Sequence, residues 1–290
     1  MGKISEALNK SGAEKALSPA KPVSIEKRVE KKPASPVTRP EGPKKVFKQE
    51  AIEAGKYLQS WDERFVEAFQ NYLGVSESFR RLRAKILHPA DGEKIRSILV
   101  TSAGPGEGKS FVCANLGAAL AQSVERHAIA VDCDMRRPSL AGLFGLDNRQ
   151  GLVDHLRDGM DLSLLIKKSG MESLSVIPAG VPPVNPSELL ASEKMTNMVD
   201  EIVGRYPDRI VIFDSPPGQE ASETTVLAQH VDKVIIVVRW GVSGKEQVKK
   251  FIESIGRENV LGVVFNAFEM NILDKKRQGE GYYKYYSEGY

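Results

Sequence analysis

From Arg96 onward, short apolar runs alternate with amphipathic stretches, and the runs SILVT, AIAVD, LSVIPAG, RIVIFDS, KVIIVV and VLGVVFN are rich in valine and isoleucine. Such continuous runs suit strands covered on both faces, since a solvated face would place a polar residue at every second position. Their alternation with helical patterns predicts a parallel sheet joined by right-handed crossovers, and hence a three-layered α/β fold. Upstream, between Glu63 and Leu87, apolar residues recur at helical spacing (Phe65, Phe69, Tyr72, Leu73, then Phe79, Leu82, Ile86, Leu87), and Gly74 and Ser76 are expected to divide two helices. The second, placed at 76–88, carries Glu77, Arg80, Arg81 and Arg83, which by itself reads as a helix with a basic face.

The pattern is lost at both ends of the chain. From Ser11 to about Glu50 the composition is Lys, Glu, Pro, Ser and Ala, with Pro19, Pro22, Pro33, Pro36, Pro40 and Pro43 spaced so that no regular element runs far. Too little apolar surface is available there to offset the entropy of ordering, so residues 1–55 are expected to be disordered, with Met1–Gly12 either a short helix or a frayed terminus. Residues 56–268 form the expected catalytic domain and 269–290 a flexible tail. Five of the eight tyrosines, Tyr282, Tyr283, Tyr285, Tyr286 and Tyr290, fall in that tail, although aromatic residues are 7% of the chain. A packed core does not cluster aromatics in this way.

A length of 290 residues with 41% hydrophobic content allows one substantial core plus tails. The formal net charge of +3, with 27% charged residues, gives no reason to expect a nucleic-acid partner; any basic surface must be local. Cys113 and Cys133 lack a C-x-x-C spacing and sit in apolar stretches, so they read as reduced, buried thiols. The start, MGKISEALNK, has no apolar targeting region, and no window approaches the roughly 18 apolar residues of a membrane span. The expected location is cytoplasmic, with the membrane reached only through a partner.

Ser97 to Thr101 reads as a strand, Ala103-Gly-Pro-Gly-Glu-Gly108-Lys109-Ser110 as a loop, and Phe111 to Ser123 as a helix. That order turns a Walker A match into a strong one, with Ala103 a small residue where glycine is usual. Gly104, Gly106 and Gly108 free the backbone to aim N–H groups inward, and the helix N-terminus adds partial positive charge, so the loop is an anion cradle. ATP and Mg2+ are the expected cofactors. Lys109 is expected to reach the β- and γ-phosphates and Ser110 to ligate Mg2+, within a nucleotide-contacting set of Gly104, Gly106, Glu107, Gly108, Lys109, Ser110 and Phe111.

The next strand ends in Asp132-Cys-Asp134-Met-Arg136. Strand alternation lets both carboxylates face the carboxyl edge, where open parallel sheets bind ligands; alone, such a pair can equally be a helix cap and a surface acid. Ile210-Val-Ile-Phe-Asp214-Ser-Pro216-Pro217 is a buried strand ending in the acid expected of Walker B, with two prolines fixing a stiff exit. Asp214 is assigned to the metal's water shell, with Asp132 beside it. Asp132 is also the candidate base for a phenol that is protonated at neutral pH, with Asp134 supporting the metal or exchanging that role. Arg136 joins the nucleotide set. So does Asn266 as an adenine-edge reader, since its amide offers both donor and acceptor, although a strand-end asparagine also serves as a turn residue.

Taken together, A-x-x-x-x-G-K-S, hydrophobic-D-x-D-x-R, hydrophobic-D-x-P-P and a tyrosine cluster resemble the bacterial tyrosine kinases of polysaccharide synthesis, over roughly Val75 to Tyr290. The resemblance implies a P-loop fold related to the MinD and ParA ATPases, with helices on both faces of a mostly parallel sheet. It implies autophosphorylation of the tail, regulation of exopolysaccharide or capsule synthesis and export, and activation by a membrane protein of the chain-length-determinant type, opposed by a phosphotyrosine phosphatase. It also implies that Glu77, Arg80 and Arg83 match the family's E-x-x-R-x-x-R element of ring-like self-association, an octamer by resemblance. Many members fuse the activator to the kinase; this chain looks like the separately encoded form, and departs from it in its long Pro/Lys-rich N-terminal segment. From Ala267 to Gly281 the chain reads as a tether spanning roughly 20 Å as a coil and roughly 50 Å at full stretch, enough for transfer in trans. The alternative is a MinD/ParA-like positioning or partitioning ATPase. Such proteins usually carry an extra lysine where this chain has Gly104, and they lack the tyrosine tail.

Overall fold

The computed structural model describes residues 60–70, 73–89, 92–123, 126–219 and 222–267. The expected disordered segment 1–55 and the tyrosine tail 269–290 lie outside the described residues.

Seven strands form one sheet in the order β3-β4-β2-β5-β1-β6-β7. They are β1 (Ser97–Ser102), β2 (His127–Asp132), β3 (Lys167–Lys168), β4 (Leu174–Ile177), β5 (Arg209–Asp214), β6 (Lys233–Arg239) and β7 (Val260–Asn266). All neighbours pair in parallel except the two-residue β3, which runs antiparallel to β4. The helices are α1 (Glu63–Gln70), α2 (Leu73–Leu87), α3 (Lys109–Ala121), α4 (Leu140–Leu143), α5 (Leu152–Asp158), α6 (Leu162–Leu165), α7 (Pro186–Leu190), α8 (Glu193–Arg205), α9 (Glu223–Ala228) and α10 (Lys245–Ile255).

Alternate residues of the central strands feed two separate cores. Ile98, Val100, Ala128, Ala130, Ile210 and Ile212 pack on one face with residues of α1 to α4, while Leu99, Ile129, Val131, Val211 and Phe213 pack on the other with residues of α5, α6, α8, α9 and α10. Each such Val, Ile, Leu or Phe, nearly without solvent contact, stabilises the fold by about 1.5–3 kcal/mol. Coverage on both faces is what the unbroken apolar runs predict for β1, β2, β5 and β6. It does not extend to β7, where Val263 and Phe265 are exposed at the sheet edge.

The helix α3 is buried almost all round, because it lies between the sheet and the layer made by α1, α2 and α4. Small residues allow that depth: a Cβ on Gly117 would sit 3.2 Å from the Leu174 side chain. The division between α1 and α2 falls earlier than expected. Gly74 and Ser76 lie inside α2, near its start, where a glycine costs less than in mid-helix. Among the described residues, no helix is long and apolar enough to cross a membrane.

Candidate active site

Three strand ends converge at the carboxyl edge of the sheet. The chain leaves β1 through the loop Ala103–Gly108 and enters α3 at Lys109; Asp132 ends β2 and Asp214 ends β5, the two acids being partners in the parallel register. Ligands bind at this edge in open parallel sheets.

The loop holds its shape through internal hydrogen bonds. The buried Glu107 carboxylate accepts from the Gly104 amide (2.9 Å) and from the Arg239 amide (3.3 Å), and the Asn266 side-chain amide donates to the Glu107 carbonyl (2.8 Å). Gly108 has φ 88°, and a Cβ there would lie 2.1 Å from Asn266 Nδ2, so glycine is required by conformation and by space. The loop is also laced to the segment after β5, with the Gly218 amide donating to the Ser102 carbonyl (2.9 Å) and the Gln219 amide to the Ala103 carbonyl (3.2 Å). No side chain caps the start of α3, and its first-turn amides have no acceptor within the helix. They face an anion site by position.

A cavity of about 320 Å³ opens here, lined by Pro105, Gly106, Gly108, Lys109, Ser110, Asp134, Arg137, Ser139 and Pro217. Gly106, Gly108, Lys109, Ser110 and Asp134 were expected; Arg137 was not. Arg136 points away, with its guanidinium donating to Ser187 Oγ and lying 3.6 Å from a Glu223 carboxylate oxygen. Glu107 and Asn266 face the protein. Asn266 closes its own amide with the Ala267 amide donating to its Oδ1 (2.9 Å). Phe111 packs its ring against Phe65, with ring centroids 6.3 Å apart, leaving only its backbone at the loop.

The three aspartates differ. Asp132 is buried and accepts three backbone amides: Asp134 on Oδ1 (3.1 Å), and Ser139 (3.1 Å) and Leu140 (3.0 Å) on Oδ2. It therefore caps α4. Burial first, and then the neighbouring Asp214 charge, push its carboxyl well above the usual range against the pull of those amides. Asp134 lies at the cavity wall and accepts from the Arg137 amide (3.1 Å). Asp214 is fully buried, and neither carboxylate oxygen has a hydrogen-bond partner. Its carboxyl is pushed up to about 7, mainly by burial, with Asp134 adding to the rise. The Ser110 hydroxyl and the Lys109 ammonium oppose the shift, the hydroxyl from nearby but outside hydrogen-bond geometry.

This donor set fits Mg2+. A buried carboxylate without hydrogen-bond partners calls for a cation or its water shell, and the Ser110 hydroxyl nearby is a hard oxygen of the kind Mg2+ takes. Among the described residues, no three acidic, histidine or cysteine side chains converge on one metal position. An ion held by one hydroxyl, water and phosphate oxygens needs no such cage.

Elsewhere, Cys113 and Cys133 are free and buried, with burial pushing both thiols up. On α2, Glu77 pairs with Arg80 (3.6 Å) and Arg81 (3.4 Å), whereas Arg83 donates to the Ala119 carbonyl (2.9 Å) in the last turn of α3. Glu77 and Arg80 thus stay on the surface and Arg83 clamps the nucleotide helix from its far end. The five tail tyrosines, Tyr282, Tyr283, Tyr285, Tyr286 and Tyr290, lie outside the described residues.

Residues 98–280 match the CobQ/CobB/MinD/ParA nucleotide binding domain. CapB of Staphylococcus aureus, named as a tyrosine-protein kinase, is 33% identical over 217 residues, which cover 74% of this chain and 91% of that protein. The tyrosine-protein kinase YwqD of Bacillus subtilis (strain 168) is 31% identical over 210 residues, covering 72% of this chain and 86% of its own length. Among solved structures, the kinase domain of Escherichia coli tyrosine kinase ETK superposes with a TM-score of 0.63 at 28% identity, covering 71% of this chain and 84% of that domain. These relatives do not favour the positioning-ATPase alternative. On the P-loop, the paired strand-end acids and this similarity, the chain belongs to the bacterial tyrosine kinases of the CobQ/CobB/MinD/ParA nucleotide-binding fold.

Proposed function

We propose that the protein uses Mg-ATP to phosphorylate the tyrosines of its own C-terminal cluster, Tyr282 to Tyr290, in trans between copies in a ring, and thereby regulates polysaccharide synthesis and export. The observation that carries the reading is Asp214: a buried carboxylate without a hydrogen-bond partner, beside a P-loop whose shape the buried Glu107 carboxylate holds. The tether length, the half-buried Glu77 and the exposed Arg80 support transfer between copies. A membrane activator of the chain-length-determinant type would hold the protein at the cytoplasmic side of the membrane, with a phosphatase resetting the tail.

Bound Mg2+ would neutralise charge on the transferring phosphoryl group. Lys109 and the loop amides, from Gly106 to the first turn of α3, would hold the phosphates, and Ser110 and Asp214 would hold the cation and its water shell. The phenolic proton needs an acceptor near the cavity. Asp134 is the carboxylate at its wall, and Asp132, one step deeper, is already engaged by three amides; the pair shares the base role, with Asp134 in reach of the acceptor. Arg137, which also lines the cavity, adds positive charge to that of Lys109. Each phosphate added to the tail carries nearly two negative charges, which repel the acidic site and loosen the ring.

The test is incubation with Mg-ATP, with and without the cytoplasmic tail of a candidate activator, followed by peptide mass spectrometry beside Lys109→Met. Phosphate on Tyr282 to Tyr290 that disappears in the variant supports the reading. Steady ATP hydrolysis with an unmodified tail, in the presence of a working activator, overturns it.

A further inference from the structure

The aromatic residues ahead of the sheet converge on the site from two directions. Trp61 stacks on Phe65 with centroids 4.7 Å apart, and both rings meet the Phe144 ring nearly at right angles, with centroids at 5.3 and 5.2 Å. Trp61 is fixed in plane by its indole N–H, which donates to the Ser169 carbonyl at 2.8 Å. Beside them the Asp62 amide donates to the Leu143 carbonyl at 2.9 Å. At Gly145, with φ 63°, a Cβ would lie 1.9 Å from the Ser60 carbonyl oxygen, so the two chain segments cross without room for a side chain.

Phe144 and Leu143 form the C-terminal end of α4, and the N-terminal end of α4 is the pair of amides on Asp132 Oδ2. A helix of four residues, about 6 Å long, has too few internal hydrogen bonds to set its own position. Its buried Leu140 and Ala141 seat it in the core, and its ends fix it along its axis: Asp132 at one, the Trp61–Phe65 pair through Phe144 at the other. Phe65 has a second reach, with its ring against Phe111, the residue after Ser110 at the cavity wall.

We propose that the Trp61–Phe65 pair is a positioning element of the active site, aiming Asp132 through α4 and Ser110 through Phe111. It rests on the reading of Asp132 and Ser110 as active-site groups, and does not depend on which tyrosines are acceptors. Displacement of Phe65 would let α4 slide along its axis. The amides on Asp132 would move with it, and the first turn of α3 would lose the ring that backs it. Misplacement on the scale of 1 Å at a phosphoryl-transfer site costs turnover more than binding.

The test reads ADP release from Mg-ATP by the full chain, which reports loss of the γ-phosphoryl group to any acceptor. At a temperature well below unfolding, Phe65→Ala is expected to lower kcat about tenfold or more while KM for Mg-ATP stays within about twofold, and Phe65→Leu to recover most of the loss. A lowered unfolding midpoint with unchanged kcat overturns the proposal and leaves Phe65 as core packing only. Should Phe65→Ala not fold, Trp61→Phe decides, since it keeps a stacking ring but loses the N–H donated to the Ser169 carbonyl. A kcat lowered several-fold with KM for Mg-ATP unchanged is expected; an unchanged kcat overturns the proposal.

Discussion

The proposed phosphate side and metal side of the site meet at Ser110, and they are built in opposite ways. On the phosphate side every shaping group is satisfied within the chain: Glu107 accepts two amides, Asn266 spans the loop and its own strand end, and Gly108 fits where no Cβ could. On the metal side two register-paired acids are buried together, and one of them, Asp214, accepts no hydrogen bond. The loop is therefore complete before nucleotide arrives, whereas the acids carry a cost that a cation would relieve. Preorganisation lies in the cradle, and stored electrostatic tension in the strand ends.

Asp214→Asn is expected to break this contrast most strongly. Losing the carboxylate should lower phosphoryl transfer by at least about a hundredfold, as removal of a transition-state electrostatic contact does. The same change should raise the thermal midpoint of the nucleotide-free protein, because a buried group without a partner is exchanged for a neutral one. A midpoint that falls by several degrees would show that Asp214 is structurally satisfied and that the two sides are alike.

Glu107 is the opposite case. Glu107→Ala leaves the Gly104 and Arg239 amides without their acceptor, at a cost of about 1–3 kcal/mol in stability, and should weaken Mg-ADP binding about tenfold by releasing the loop. Glu107→Gln keeps one acceptor oxygen and should fall between. Calorimetric titration with Mg-ADP separates the two variants; unaltered affinity in Glu107→Ala would mean that the loop holds itself.

A smaller effect appears in the pH dependence of stability. With its carboxyl raised to about 7 when folded, Asp214 binds a proton in the folded state that it would release in the unfolded one. The Asp214 contribution to the stability of the nucleotide-free protein should therefore be most favourable below the unfolded carboxylate range of about 4 and be lost as pH rises from there to about 7. The raised Asp132 acts in the same direction. Mg-ADP should flatten the slope. Denaturant midpoints measured from pH 5 to 8 check this, and stability that climbs over that window would contradict a buried, unpaired Asp214.

Most of this architecture was legible from the chain, for identifiable reasons. The central strands show as unbroken apolar runs because both faces are covered, and the P-loop shows because its chemistry demands Gly-Lys-Ser at a helix start. What was hidden lies where periodicity stops. Side-chain alternation predicts that Asp132 and Asp134 face one way, but β2 ends at Asp132, and beyond it the chain turns, so one acid caps α4 while the other lines the cavity. In that same turn nothing periodic distinguishes Arg136 from Arg137, and it is the second that lines the cavity while the guanidinium of the first turns to Ser187. Exposure of β7 was also hidden, since an edge strand and a central one can share the same apolar run.

Asn266 gives the finest test, because reading the base and stapling the loop predict different measurements. As a staple it holds the Glu107 carbonyl and accepts the Ala267 amide, so Asn266→Ala should cost about 1 kcal/mol of stability and weaken Mg-ATP and Mg-GTP binding alike, by a few-fold. As an adenine reader its loss would fall mainly on ATP, because a site built to hydrogen-bond one base leaves buried groups unpaired with the other. The ratio of the two nucleotide affinities, unlike either alone, is independent of any general loosening of the loop. A ratio unchanged in Asn266→Ala keeps this residue with the preorganised cradle; a ratio that collapses toward one moves it to the ligand.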